Sequence, residues 1–337
     1  MIGGAPSTGS SLLRQILNRH SNIYCGPETR LLSIQDLYQN WTGHKNRIFK
    51  RGPFGVRPNA WHNITGVLCT GIELYESRDE VEKKISNSES FEAFVTDFFG
   101  GLIEKNKKNF WAEKTPNNIY TIRSFLDKFP EGKVIITIRN PLEIICSLMD
   151  KGNSLFHALS HALIHLSLAA QYEQSWRIHF LSYEHLTRKP ETAIKEICTF
   201  IGQDFEAEML MPDSAQEIQG QTKLKGWRYS EIEPVHQGEG NRFEQLSQEQ
   251  QLKLLTAMQM ISFHDKSLRQ KDMPSSNYIN LYNRLPYSSP RWISDRNDVV
   301  LHQLLKEKRQ DQIFRLKKFQ FRFLRNYPIQ LHRTRTE

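Results

Sequence analysis

The chain has 337 residues, of which 38% are apolar, and a formal net charge of +8. Its length allows one large core in one or two domains, and it has neither a signal peptide nor an apolar run long enough to span a membrane, which predicts a cytoplasmic location. The positive charge suits a ligand with several negative charges, but no zinc-finger spacing or RNA-binding aromatic motif accompanies it, so we predict no nucleic-acid binding.

A turn of small residues stands at residues 3–12, with the sequence Gly-Gly-Ala-Pro-Ser-Thr-Gly-Ser-Ser-Leu. It precedes a predicted helix, whose free backbone N–H groups favour a phosphate. Gly4 and Gly9 have the spacing of the nucleotide-triphosphate loop, but Ser10 occupies the lysine position. A kinase or ATPase is therefore disfavoured. The two apolar residues before the turn are fewer than the about five of an ordinary strand, which leaves open a start upstream.

The sequence predicts an insertion, a helix and a short strand in the part of the chain that leads to Lys114. Residues 36–80 are rich in aromatic side chains and have no clean period, which predicts an irregular insertion. Residues 88–105 have the period of an amphipathic helix, and residues 109–112 read as a short strand that delivers Lys114.

An apolar, β-branched run at residues 133–141 predicts a buried parallel strand that ends in Arg139. A predicted helix follows at residues 142–149. Arg139 and Ser147 are expected to point into the crevice where open α/β sheets bind ligands. We therefore predict an α/β fold with a central parallel sheet flanked by helices and a P-loop-like phosphate-binding turn after the first strand.

Three histidines lie on one side of a predicted helix at residues 155–171: His157, His161 and His165. Two histidines four residues apart can bind zinc. The usual glutamate beside the first histidine is missing, and the helix carries no carboxylate at ligand spacing. We therefore predict no metal site.

The sequence changes character towards its end. Residues 208–245 mix glycine, proline and charged residues and predict a long loop. Beyond residue 286 a basic, aromatic helix is predicted at residues 299–326, suited to an anionic membrane surface, to a partner or to packing on the domain. We predict two domains, an α/β domain at 1–285 and a helical extension at 286–337.

Three further segments, residues 25–30, 111–116 and 180–186, complete a pattern with the turn and the Arg139 strand. Together they resemble the sulfotransferases that use 3'-phosphoadenosine-5'-phosphosulfate (PAPS), in the branch of the protein-tyrosine sulfotransferases and bacterial relatives. The resemblance spans about residues 2–250. In that family the turn wraps the 5'-phosphosulfate, and the strand with its arginine clamps the 3'-phosphate.

The resemblance implies a role for each motif residue. Glu28 would be the base towards the acceptor hydroxyl, Arg30 would orient that base or the acceptor, and Lys114 would contact the sulfuryl and leaving oxygens. The residues implied in nucleotide binding are Ser7, Thr8, Gly9, Ser10, Ser11, Arg139, Ser147, Tyr183 and Arg228, the last as a contact from the long loop.

The resemblance implies a sulfotransferase with PAPS as co-substrate and no metal. Its acceptor would be a hydroxyl on a peptide tyrosine, a glycan or a small alcohol, and the sequence does not indicate an oligomeric state. One position departs from the family: the loop cation is replaced by Ser7. Either Lys114 or Arg14 compensates, or activity is weak, or the chain only binds the nucleotide. A non-catalytic binding protein and a P-loop-like nucleotide-binding protein or kinase are therefore the alternatives.

Overall fold

The computed structural model describes residues 1–49, 75–211, 242–263, 276–294 and 298–317. The chain divides into two compact units. The first unit consists of Met1–Gly4, Gly9–Thr137 and Gln174–Gly238, and the second of Ala5–Thr8, Ile138–Glu173 and Glu239–Glu337. This division into compact units does not test the domain boundary that the sequence predicts at residue 285, which stays a prediction.

The first unit contains the strands β1 (Ile2–Gly4), β2 (Ile23–Tyr24), β3 (Phe110–Trp111), β4 (Val134–Ile138) and β5 (Ile178–Ser182). A three-stranded sheet has the order β1-β4-β5, and β2 pairs in parallel with β3 in a separate two-stranded sheet. All five residues of β4 are buried, as expected for a strand covered on both faces.

The segment after β3 continues the sheet beside β1. Ile2 forms a parallel bridge with Lys114, and its N–H donates to the Glu113 carbonyl at 2.8 Å. On its other side β1 pairs in parallel with β4, Ile2 opposite Ile135 and Gly4 opposite Thr137. The short first strand therefore lies between the two segments that carry the predicted motifs.

Helices flank the strands of the first unit, and an apolar stripe explains the burial of the first helix. In α1 (Ser10–Arg19), Leu13, Ile16 and Leu17 recur at helical spacing and join one buried cluster with residues of the strands. The other helices of this unit are α2 (Gln35–Gln39), α3 (Trp41–Phe49), α4 (Arg78–Asn87), α5 (Phe91–Lys105), α6 (Ile122–Lys128), α9 (Tyr183–Arg188) and α10 (Pro190–Ile201), with 3-10 turns at Leu31–Ser33, Pro116–Tyr120 and Ala207–Leu210.

The second unit is largely helical. It contains α7 (Pro141–Asp150), α8 (Leu155–Ala169), α11 (Gln248–Met260), α12 (Tyr278–Tyr282) and α13 (Asp298–Lys317), with a short antiparallel pair β6 (Ser262–Phe263) and β7 (Ser276–Asn277). Asn140 caps α7 by accepting from the Leu142 N–H at 3.0 Å, and Pro141 begins that helix. In the part of the chain that is described, no helix is long and apolar enough to cross a bilayer.

The predicted α/β fold with a parallel sheet and flanking helices is confirmed. The irregular insertion predicted at residues 36–80 is wrong in part, because α2 and α3 occupy its beginning and α4 starts near its end. Packing explains α3: Trp41 stacks on Phe94 with ring centroids 5.3 Å apart and donates to the Ser88 carbonyl at 3.2 Å. Of the four cysteines, three are buried free thiols, and Cys69 lies outside the described residues.

Candidate active site

The turn after β1 enters α1 through Gly9, whose φ of +82° is in the left-handed region. A Cβ at this position would lie 2.6 Å from Cδ2 of Tyr183, so the ring packs directly against the backbone of the turn. The Leu13 N–H bonds the Gly9 carbonyl at 3.0 Å, and the first turn of α1 carries no acidic side chain. The positive end of this helix dipole is therefore not neutralised by its own residues.

Lys114 lies beside that helix start and is only 1% exposed. Its ammonium forms an ion pair with Glu28 and lies 3.2 Å from Ser11 Oγ, to which it donates. The Glu28 side chain keeps 18% exposure. The structure thus brings together three residues singled out in the sequence, with the lysine buried and the carboxylate reaching solvent.

The surroundings of Lys114 disfavour the charged form of its ammonium. Burial is the largest influence and lowers the pKa of Lys114, and the nearby Arg14 guanidinium lowers it further. The carboxylates of Glu28 and Glu113 raise this pKa and oppose both effects. Arg14 is itself buried, and its Nη1 lies 3.5 Å from the Cys25 carbonyl.

The segment that carries Glu28 is fixed to the Lys114 segment at the neighbouring residues. Thr29 donates to Glu113 from both its N–H, at 3.2 Å, and its hydroxyl, at 2.9 Å. The Arg30 N–H donates to Thr115 Oγ1 at 3.1 Å. The Arg30 side chain is exposed, and its φ of +58° is unusual for a residue other than glycine.

Glu113 received no role in the sequence analysis, although it is only 2% exposed. Its carboxylate also accepts from Thr115 Oγ1 and from Asn118 Nδ2, both at 2.6 Å. The signal was present in the sequence as an acidic residue at the end of a strand. Its partners could not be predicted, because Thr29 stands 84 positions away.

The second unit holds a separate group of predicted residues around Ser7. Arg139, which follows β4 and is buried, donates from Nη1 to the Ser7 carbonyl at 3.1 Å. Its Nη2 lies 3.4 Å from the carboxylate of Glu143, one turn along α7. Ser7 has a φ of +66°, so this loop residue also adopts the left-handed conformation.

Lys151, at the end of α7, was missed by the sequence analysis. Its Nζ donates to Ser7 Oγ at 2.8 Å. Desolvation, and after it the charges of Arg139 and Arg242, lower the pKa of Lys151. Arg242 pairs with Asp150 at 2.6 Å. An anion beside Lys151 would oppose both effects on its pKa and would stabilise the charged ammonium.

The remaining predicted residues have simpler surroundings. Thr8 is buried, and its hydroxyl donates to the Ala5 carbonyl at 2.6 Å, which closes the turn. Ser10 is buried at the start of α1, and Ser147 is buried on α7. Arg228 lies outside the described residues.

The histidine stripe predicted on one helix lies on α8. The ring centroids of His157 and His161 are 4.2 Å apart, and those of His161 and His165 are 5.5 Å apart. Burial lowers the pKa of His165 to about 4. Within the described ranges, no group of three His, Cys, Asp or Glu side chains is placed to hold a metal ion.

A family model described as the sulfotransferase family matches residues 1–207. The chain belongs to the sulfotransferase family. This member is 23% identical, over 221 residues, to a protein of Caenorhabditis briggsae named "Putative protein-tyrosine sulfotransferase", with 62% of this chain and 67% of that protein covered. It is 22% identical, over 201 residues, to the protein-tyrosine sulfotransferase of Drosophila melanogaster, with 59% of this chain but 37% of that protein covered.

Solved structures show the same fold. The sulfotransferase domain from the curacin biosynthetic pathway matches with a TM-score of 0.53 and 17% identity, over 86% of this chain and 97% of that domain. The sulfotransferase domain of the Synechococcus PCC 7002 olefin synthase matches with a TM-score of 0.51 and 19% identity, over 86% and 94%. The family resemblance stated from the motifs is therefore confirmed.

Proposed function

We propose that this chain transfers a sulfuryl group from PAPS to an acceptor hydroxyl. The observation that carries the proposal is the pair of Lys114 and Glu28 beside Ser11 at the start of α1. In-line displacement at sulfur needs a cation for the oxygens that gain charge and an acceptor for the hydroxyl proton. A buried ammonium beside a partly exposed carboxylate meets both needs.

In the proposed step, the acceptor oxygen forms a bond to sulfur, and its proton passes to Glu28. The bond from sulfur to the bridging oxygen breaks, and its electron pair stays on the 5'-phosphate of adenosine-3',5'-bisphosphate. Lys114 stabilises the charge that develops on the bridging oxygen, and Ser11 orients the lysine by accepting from its ammonium.

We assign the 3'-phosphate to Arg139 and Ser147 and add Lys151 as a further cation at the loop. Its contact with Ser7 supports an enzyme over a protein that only binds the nucleotide, because it supplies a charge at the position where the loop itself has none. We keep Tyr183 and Arg228 as nucleotide contacts in this proposal. Arg30, with its exposed side chain, would contact the acceptor.

We propose a tyrosine in a peptide as the first acceptor to test. The support is the name of the two relatives, which are 22–23% identical to this chain over part of each sequence. Glycan and small-alcohol hydroxyls are the other acceptor classes. We propose no metal, and the cytoplasmic location stays a prediction.

The test measures transfer of radiolabelled sulfate from PAPS to a tyrosine peptide and to a pool of glycans and alcohols. We expect transfer by the unmodified chain and none by Lys114→Ala, with binding of adenosine-3',5'-bisphosphate within a few-fold in calorimetry. Lys195→Ala is the matched control, because it removes an exposed lysine–glutamate pair on α10. Wild-type turnover in Lys114→Ala would place the cation elsewhere.

The same experiment separates the alternatives. Binding of adenosine-3',5'-bisphosphate without transfer to any acceptor would favour a binding protein. Tighter binding of ATP or ADP than of the bisphosphate would favour a kinase or another P-loop-like protein. Both outcomes contradict the proposed function.

A further inference from the structure

We propose that Glu113 is a positioning residue, whose carboxylate holds the Glu28 segment in the position that sets Glu28 against Lys114. The inference rests on the proposed sulfuryl transfer for its effect on rate. Its geometry and its electrostatic effect can be tested independently of that reaction.

The Glu113 carboxylate joins two segments that are distant in sequence. One oxygen, Oε1, accepts from the N–H and the hydroxyl of Thr29 and from the hydroxyl of Thr115. The other, Oε2, accepts from Asn118 Nδ2 at 2.6 Å. Asn118 Nδ2 also donates to the Ile2 carbonyl at 2.9 Å, which ties the group to β1.

The position of Thr29 next to Glu28 explains why this contact matters for Glu28. Thr29 contacts Glu113, whereas the residue before it, Glu28, contacts Lys114. Arg30 then bonds Thr115 through its backbone. Three successive residues of the Glu28 segment thus each contact a different residue of the segment 113–115, and Glu113 accepts both bonds of the central one, Thr29.

A glutamine at position 113 could not preserve these contacts. The Thr29 N–H points at one oxygen and Asn118 Nδ2 at the other, so an amide would set its own NH₂ against one of these donors. Rotating the Asn118 amide would lose its bond to Ile2. Glu113→Gln therefore changes shape little and yet leaves a donor without an acceptor in a buried place.

Glu113 also acts on Lys114 through charge. The charged groups that influence Lys114 are Glu28, Glu113 and Arg14, and burial sets the overall direction by lowering the pKa of the lysine. Removing the negative charge of Glu113 removes one of the two carboxylates that raise this pKa. A residue that only stabilised the fold would not move the titration of Lys114.

We would measure kcat, the KM for PAPS and the pH dependence of kcat for Glu113→Gln and for Thr115→Val. Thr115→Val removes the hydroxyl that serves both Glu113 and Arg30. We expect kcat to fall about 10²-fold in Glu113→Gln and less in Thr115→Val, with KM nearly unchanged, because a misplaced reacting group costs rate more than binding. The alkaline limb of the Glu113→Gln profile should move to lower pH.

The control is Tyr278→Phe, which removes a buried hydrogen bond from the Tyr278 hydroxyl to the Leu159 carbonyl in the second unit. It should lower the melting temperature and leave kcat unchanged. Equal kcat and an unmoved alkaline limb in both site variants would overturn the inference.

A second readout does not depend on turnover. The pKa of Lys114, followed by NMR with ¹³C-labelled lysine, should fall in Glu113→Gln and stay unchanged in Tyr278→Phe. If the unmodified chain transfers no sulfate, the proposed function fails while this titration still tests Glu113. An unchanged Lys114 titration in a folded Glu113→Gln protein would overturn the inference by itself.

Discussion

Ser7 carries no charge at a loop position where the family pattern has a cation, and Lys151 reaches it from another part of the chain. The Lys151 ammonium lies 2.8 Å from the Ser7 hydroxyl, with Arg139 bonded to the carbonyl of the same residue. A lysine placed by a helix end can supply the charge that an arginine in the loop would supply. The two arrangements should therefore be exchangeable.

The first prediction is that a cation at position 7 can replace the cation at position 151. Lys151→Ala should lower turnover about 10²-fold, the usual effect of removing one donor that stabilises developing charge. The double variant Ser7→Arg/Lys151→Ala should recover most of that loss in the sulfate-transfer assay. The left-handed conformation of Ser7 is no obstacle, since Arg30 already adopts it. A double variant as slow as Lys151→Ala would contradict the exchange.

At the scale of elements, the sequence predicts a helix or strand well where the apolar residues of that segment alone form the pattern of a buried element. The run that forms β4 was recognised because apolar, β-branched residues fill a strand covered on both faces. The helix predicted at residues 155–171 is α8, which spans Leu155–Ala169. By contrast, α3 has a weak apolar pattern and depends on the packing of Trp41 against Phe94 and Ser88.

The residues of the candidate site differ in the same way in whether the sequence alone can identify them. Glu28, Lys114 and Arg139 could be found because each stands in a short motif. Glu113 and Lys151 could not, since the role of each depends on partners more than 80 positions away: Thr29 for Glu113 and Ser7 for Lys151. Long-range hydrogen bonds leave no periodic pattern in the sequence, so only the folded structure shows them.

The entry into α1 gives a prediction about one glycine. Gly9→Ala would strain a left-handed residue and press a Cβ against the Tyr183 ring, 2.6 Å away. Gly202 ends α10 at a similar φ of +77° with nothing within 4 Å, so Gly202→Ala is the matched control. Both should lose about 1 kcal/mol of unfolding free energy in urea titrations from backbone strain.

The two variants should then differ in their effect on the ligand. We expect Gly9→Ala to lose further stability and to bind adenosine-3',5'-bisphosphate at least about tenfold more weakly in calorimetry, because the turn and the ring must move apart. Gly202→Ala should bind as the unmodified chain does. Equal stability and equal affinity in the two variants would contradict a close packing of Gly9 on Tyr183.

For the whole molecule, the buried His165 makes stability depend on pH. Burial lowers the pKa of His165 to about 4, below its value of about 6.5 in an unfolded chain. Between these two values the unfolded chain binds more protons, so the stability contributed by this group is complete above pH 6.5 and is lost as the pH falls towards 4. The loss should amount to about 3 kcal/mol.

Urea unfolding at several pH values would measure this dependence. His165→Gln should flatten the fall in unfolding free energy between pH 6.5 and 4. His302→Gln, at an exposed position of α13, should leave the slope unchanged. Equal slopes in His165→Gln and the unmodified chain would assign the acid sensitivity to other groups.

Ligand binding acts on the whole molecule as well, because a ligand of the folded state raises the free energy of unfolding by mass action. At a concentration of about 100 times its Kd, adenosine-3',5'-bisphosphate should stabilise the chain by about 2.7 kcal/mol. AMP lacks the 3'-phosphate and should lose the charge-assisted contact that we propose for Arg139, worth about 1.5–3 kcal/mol. At equal concentration it should therefore raise the melting temperature much less.

Arg139→Ala should abolish the difference between the two nucleotides, whereas Arg188→Ala, at an exposed position of α9, should preserve it. The measurement is the melting temperature of each protein across a concentration series of each nucleotide, which gives both affinities from the same curves. Equal shifts with AMP and the bisphosphate in the unmodified chain would remove Arg139 as the 3'-phosphate contact. A difference that survives Arg139→Ala would instead assign that contact to the neighbouring Lys151, whose Nζ bonds the same loop residue.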